Sequence, residues 1–125
     1  MAKERILVVD DEVAVQRLLG EVFRREGYDA VTVGDGARAF EALAEGFFPV
    51  CIVDLHLPHV DGLAVLRRIK ELHPTCQVII FTAYGDMGTA VEALRLGAYD
   101  YLQKPLADTD LIRLGVSRAL ERWRL

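Results

Sequence analysis

Five times along the chain a short apolar run is followed by a longer segment with helical spacing. The runs RILVV (5–9), DAVTV (29–33), VCIV (50–53), QVIIF (77–81) and YDYL (99–102) predict strands, most of them rich in β-branched residues. Between them, Val15, Leu18, Leu19, Val22 and Phe23 fall on one helical face, with Gly27 as a stop. Phe40, Leu43 and Ala44 make a second, weaker face. Leu63, Leu66, Ile69 and Leu72 mark a third, ended by His73-Pro74. Met87, Val91 and Leu94 mark a fourth, before Gly97. Leu111, Ile112, Val116, Ala119, Leu120 and Trp123 mark the last. Strands alternating with helices predict right-handed parallel βαβ units. Five of them make an α/β three-layer sandwich, read as one domain over residues 1–125.

The run Val50–Val53 stops on an acid, Asp54, followed by a loop, Pro58 and Asp61-Gly62. In a parallel sheet, chemistry sits beyond the carboxyl ends of the strands. Asp54 therefore either ends a turn, as acids often do, or is presented for reaction by a rigid strand. Asp10 and Asp11 follow the first strand in the same way. One of them can cap the helix starting near Glu12, but two acids plus Glu12 exceed what a cap needs. With strands one and three adjacent, Asp10, Asp11 and Asp54 converge, and carboxylates that close repel unless a cation neutralises them. An oxygen-only set suits hydrated Mg²⁺, whereas neither cysteine nor the scattered histidines have zinc spacing. Thr82 ends the fourth strand and Lys104 follows the fifth, ahead of Pro105. Alone, Thr82 reads as a turn residue and Lys104 as a surface charge. Together with the acids they place a nucleophile, a metal site, a hydrogen-bond donor and a positive charge on one sheet edge. Those are the parts of phosphoryl transfer, with a carboxylate able to accept the group as an aspartyl phosphate.

Composition narrows the field. The chain has 125 residues, 52% hydrophobic and 27% charged, enough for a real core. A net charge of −4 argues against a surface made to hold a nucleic-acid backbone. No apolar run has the length of a membrane span, and the start MAKERILVVDD lacks the apolar core of a secretion signal. Cys51 and Cys76 have no metal or redox spacing and read as reduced structural thiols, which points to a cytoplasmic protein.

The segments VVDDE, VDLHLPHVDG, FTAYGD and GAYDYLQKP resemble, in order, the signature segments of bacterial two-component response-regulator receiver domains, from about Ile6 to Leu120. The stretch from Gly85 to Pro105 is similar to receivers of sigma-54-type, NtrC-like transcriptional activators. The resemblance implies a CheY-like, flavodoxin-like (βα)5 fold with strand order 2-1-3-4-5. It implies Asp54 as phosphoacceptor, Asp10 and Asp11 as the acids that hold Mg²⁺ with Asp54 and the His56 backbone carbonyl, and Lys104 as the lysine on the phosphoryl group. It implies Thr82 and Tyr101 as a coupled switch pair, although Tyr101 also reads as a half-buried aromatic of an edge strand. Leu106 stands where a phenylalanine is frequent, a matter of packing. His56 and Tyr84, two residues after Asp54 and Thr82, are expected to tune the phosphoryl lifetime. Asp61 and Asp86 are expected as helix caps, and His59 and His73 as surface residues.

The expected function is a phosphorylation-controlled signalling switch that assists its own phosphorylation and dephosphorylation and turns over no external metabolite. A histidine kinase or phosphotransfer protein would supply the group. The surface of the fourth helix, fifth strand and fifth helix would then change its contacts with an output domain, a partner protein or a second copy. Trp123 fits core packing or the start of a helix into an output domain, and the chain itself carries no DNA-binding or ATPase segment. Two rivals remain. A Mg²⁺-dependent aspartyl-phosphate phosphohydrolase would want a second acid where Asp54-Leu55-His56 has histidine. A phosphorylation-independent interaction module would have no need of Asp10, Asp11, Asp54, Thr82 and Lys104 together.

Overall fold

Buried on both faces, a parallel strand reads as a nearly continuous apolar run, and the strands here follow that rule. The computed structural model describes residues 3–83, 85, 87–104 and 109–125, so the expectations for Tyr84, Asp86, Pro105 and Leu106 lie outside the described residues. Strands β1 (Arg5–Val9), β2 (Asp29–Val33), β3 (Val50–Val53), β4 (Gln77–Thr82) and β5 (Asp100–Gln103) form one parallel sheet in the order 2-1-3-4-5. Helices α1 (Val13–Arg25) and α5 (Asp110–Arg124) cover one face; α2 (Gly36–Glu45), α3 (Gly62–Leu72) and α4 (Met87–Arg95) cover the other. Alternation along β1 divides the core accordingly. Ile6 and Val8 pack toward Leu19, Phe23 and Val116, while Leu7 and Val9 pack toward Ala39, Leu43 and Leu66. Each such aliphatic side chain contributes about 1.5–3 kcal/mol of transfer free energy. This is the flavodoxin-like architecture expected from the resemblance.

Local signals set the helix ends. Asp35 and Asp61 accept hydrogen bonds from the Arg38 and Ala64 amides at 2.8 Å, capping α2 and α3. Gly27 and Gly97 take left-handed φ values of +92° and +102°, which close α1 and α4 at little steric cost. Lys70 donates to the carbonyls of Pro74 and Cys76 and so ties the end of α3 to the start of β4.

Several expected core positions face outward. On α4, Met87, Val91 and Leu94 are 80%, 40% and 52% exposed, and Ala93 is the buried contact. The helix lies near the sheet edge, where a small residue brings it close and leaves its i, i+4, i+7 stripe turned away. Leu18, Ala44, Leu72 and Leu111 are likewise exposed, whereas Ala39 and Val65, outside the expected stripes, are buried. A stripe of apolar residues wider than the contact face must leave some of its members in water. β4 runs one residue beyond its apolar run, to Thr82, and β5 begins at Asp100 instead of Tyr99. Trp123 is half-buried against the α1–α5 core, and its ring lies 5.8 Å from that of Phe47. His73, expected at the surface, is half-buried, with its ring edge-on to Phe47 at 5.3 Å and Nε2 3.3 Å from the Leu43 carbonyl.

Candidate functional site

The strand order reverses at β1, which pairs with β2 on one side and β3 on the other. Connections on opposite faces leave a crevice beyond the carboxyl ends at such a point. Register fills it. Val9 pairs with Val53, so the next residues, Asp10 and Asp54, stand side by side. The backbone continues the ladder for one step, with the Asp54 amide donating to the Val9 carbonyl and the Asp10 amide to that of Val33, each at 3.0 Å. Both acids are 2% exposed. Thr82, fully buried, ends β4, and its carbonyl accepts from the Lys104 amide at 2.9 Å, which anchors the residue that leaves β5.

Lys104 is the hub. Its ammonium lies 2.6 Å from Asp10 Oδ2, 3.1 Å from Asp54 Oδ2 and 3.4 Å from Glu12 Oε1. The Phe81 ring flanks it at 5.6 Å. Burial on its own would lower the Lys104 pKa, but the hydrogen bonds it donates to Asp10 and Asp54 outweigh that and raise the pKa above 10.5. Burial raises the Asp10 carboxyl above its ordinary 3.8; the Lys104 hydrogen bond and the Glu12 amide oppose that rise without cancelling it. The remaining Asp54 oxygen, Oδ1, accepts from the His56 amide at 3.2 Å. The His56 side chain is exposed beside it.

The acids do not gather as expected in every respect. Among the described residues, the carboxylates within 4.8 Å of one another are those of Asp10, Glu12 and Asp54. Asp11 is exposed and is not one of them. The chain leaves β1 at Asp10 and bends at Asp11, so Asp10 stays inward and its neighbour turns outward. Glu12, noticed in the sequence only as a surplus acid, joins the cluster from the start of α1. Three carboxylates against one ammonium leave an excess of two negative charges. Oxygen-only donors with that excess fit a hard divalent cation, and the group could bind a metal.

Two further residues shape the site without a sequence signal of their own. Gln16 Nε2 donates to the Asp10 carbonyl at 2.7 Å and pins the β1–α1 turn. Gly62 donates its amide to the Leu55 carbonyl at 2.8 Å, and a Cβ there would overlap the Asp54 carbonyl and stand 2.6 Å from Leu55 Cα. Only glycine lets α3 start that close to the acid-bearing loop. His59, exposed in the same loop, has φ +67°. On β5, Tyr101 is half-buried; its hydroxyl is buried and has no hydrogen-bond partner among the described residues.

The sheet order and the buried acid–lysine cluster at its switch point define a flavodoxin-like α/β protein with a charged site on its carboxyl edge. The family described as the response regulator receiver domain matches residues 6–114. The chain is 41% identical to the transcriptional regulatory protein ZraR of Klebsiella oxytoca over 96% of its own length, and spans about a quarter, 27%, of that relative. It is 36% identical to the sporulation initiation phosphotransferase F of Bacillus subtilis over 96% of both chains. Among solved structures, a beryllofluoride-activated NtrC4 receiver domain dimer superposes with a TM-score of 0.90 at 36% identity, over 95% of this chain and 98% of that one. The chain belongs to the response regulator receiver domain family of two-component systems, with NtrC-like activator receivers among its relatives. Receiver domains are signalling domains. Among the described residues, no helix is long and apolar enough to cross a membrane.

Proposed function

We propose that the chain is a phosphorylation-controlled switch, residues 1–125 forming one receiver domain, with Asp54 as the phosphoacceptor. The observation that carries this reading is the position of Asp54: buried at the end of β3, with one oxygen 3.1 Å from the Lys104 ammonium. In the transfer, an Asp54 carboxylate oxygen forms the new P–O bond, and the P–N bond of a phosphohistidine donor breaks. The electron pair leaves on the imidazole, which takes up a proton. Lys104 neutralises the equatorial phosphoryl oxygens and gives up part of its contact with Asp10 to do so. Asp10 and Asp54 with the His56 backbone carbonyl would hold Mg²⁺, joined by Asp11 once its exposed side chain turns inward, with Glu12 already in the cluster; when bound, the ion offsets charge on the phosphoryl oxygens. The Thr82 hydroxyl then turns toward the phosphoryl group and Tyr101 moves with it, while His56 and Tyr84 set how readily water reaches the group.

The same chemistry, run with water as acceptor, removes the phosphoryl group, so the domain assists both reactions on itself. The donor would be a histidine kinase or a phosphotransfer protein. The outward stripe of Met87, Val91 and Leu94 supports a partner surface over α4, β5 and α5 whose contacts the phosphoryl group changes, with a second copy or an output domain as occupant. The larger regulators it matches suggest transcription control through such an output, and the net charge of −4 on this chain suits an indirect role. Reduced thiols suit the cytoplasm. The test is intact mass after incubation with acetyl phosphate, with and without Mg²⁺, for the parent and Asp54→Asn. One Mg²⁺-dependent adduct, lost in Asp54→Asn, is expected. No adduct at any Mg²⁺ concentration would favour a phosphorylation-independent interaction module instead.

A further inference from the structure

Gly27 and Gly97 answer a demand of backbone conformation; at Gly85 the demand is for space. A Cβ built on Gly85 would overlap the Tyr101 hydroxyl and lie 3.2 Å from the Thr82 methyl. Tyr101 stands on β5 in register with Ile80 of β4, and its ring packs against the α2–α3–α4 core, with its hydroxyl buried. The point where a side chain at position 85 would begin is therefore the point where the inward tyrosine ends. The two exclude each other. The Thr82 methyl closes one flank of that point, so the phenol cannot slide past a methyl group placed there.

We propose that Gly85 is a positioning residue for Tyr101, the seat that admits the end of the ring under the connection from β4 to α4. Any side chain at 85 expels the ring while leaving the fold intact. What yields is the far end of a side chain free to rotate about χ1, at less cost than moving the backbone that carries Thr82. The inward Tyr101 conformation then exists only because residue 85 lacks a Cβ. The consequence for signalling rests on the function proposed above: with Tyr101 held outward, Thr82 can still meet a phosphoryl group, but the β5 surface no longer follows it.

The test is made first on unphosphorylated protein, so that it stands apart from Asp54 chemistry. In the parent, nuclear Overhauser cross-peaks between the Tyr101 ring and the Thr82 γ-methyl are expected; in Gly85→Ala they disappear. Gly85→Ala should lower Tm in the parent background and leave it unchanged in a Tyr101→Leu background, a result that general loop damage would not give. Retained cross-peaks in Gly85→Ala, or an equal Tm loss in both backgrounds, overturn the proposal. In a second step, Gly85→Ala treated with acetyl phosphate and Mg²⁺ should form the adduct without the chemical-shift changes on β5 that the parent shows. A parent that forms no adduct refutes the switch reading and leaves the cross-peak comparison to decide Gly85 alone.

Discussion

Replacing Lys104 by methionine keeps the length of the side chain and removes the one ammonium between two buried acids. With Lys104 gone, Asp10 and Asp54 face each other within 4.8 Å. Two like charges at that separation repel by about 3.5 kcal/mol at an effective dielectric constant near 20. Removing one partner from a buried ion pair costs about 3–5 kcal/mol in general. The half-exposed Glu12 side lets water reach this cluster, so the lower part of that range, about 3 kcal/mol, is expected at neutral pH in EDTA. For a domain of this size, that corresponds to a fall of about 10–15 °C in Tm. Urea unfolding followed by circular dichroism reads the difference directly.

The pH dependence supplies a second check. An acid whose pKa is raised in the fold binds more protons folded than unfolded. Its ionisation therefore costs stability as pH rises above 3.8, and the cost disappears below that value. Without Lys104, Asp10 loses the hydrogen bond and charge that oppose its rise, and burial with the Asp54 charge pushes it further up, so the deficit of Lys104→Met should shrink as pH falls toward about 4. At the other extreme, the raised Lys104 pKa makes its contribution fully present below 10.5 and lost as pH climbs through the raised value. The parent should lose stability there, and Lys104→Met should not share that loss. A deficit below about 1 kcal/mol at neutral pH, or one of equal size at pH 7 and about pH 4, would refute the account of Lys104 as the neutralising hub.

Gly62→Ala drives a methyl into the Asp54 carbonyl and the Leu55 backbone. A loss of about 2–3 kcal/mol in urea unfolding is expected, with slower phosphoryl uptake because the strain falls on the acceptor's own loop. A variant as stable as the parent would show that the loop yields freely. Cys51 and Cys76 lie in the core with their sulfurs 3.5 Å apart, and the hydrogen bond shared with Cys76, with burial, holds the Cys51 thiol well above its ordinary pKa. Both should resist iodoacetamide in the folded protein at pH 8 and react once denatured, as intact mass will show; rapid native labelling would contradict that placement.

Much of this molecule was legible from residue order alone. Strand identity came from runs that must be apolar on both sides, because a parallel sheet is covered on both faces. The candidate site was legible because strand ends project onto one edge, so acids after the first and third strands, Thr82 after the fourth and Lys104 after the fifth had to share it. Short-range chemistry likewise announced the Asp61 cap and the Gly27 stop.

Other features depended on approach between distant segments, which periodicity does not encode. Whether Met87, Val91 and Leu94 face the sheet or solvent is decided by how α4 sits on the edge, and the same spacing fits either side. The sequence pointed to Asp11 as the partner of Asp10 and left Glu12 as a surplus acid, but the bend after β1 sent Asp11 outward and brought Glu12 within reach of Lys104, 92 residues away. Gly62 and Gly85 carry no side chain to advertise a role; theirs lies in what packs into the space, the Asp54 loop in one case and the Tyr101 hydroxyl in the other. The one-dimensional pattern determined which residues could be buried and which edge would carry the charges, since those follow from strand alternation and connection. Only the folded chain decided which carboxylates share one ammonium and which empty spaces matter, because both depend on distances of a few ångströms between segments far apart in sequence.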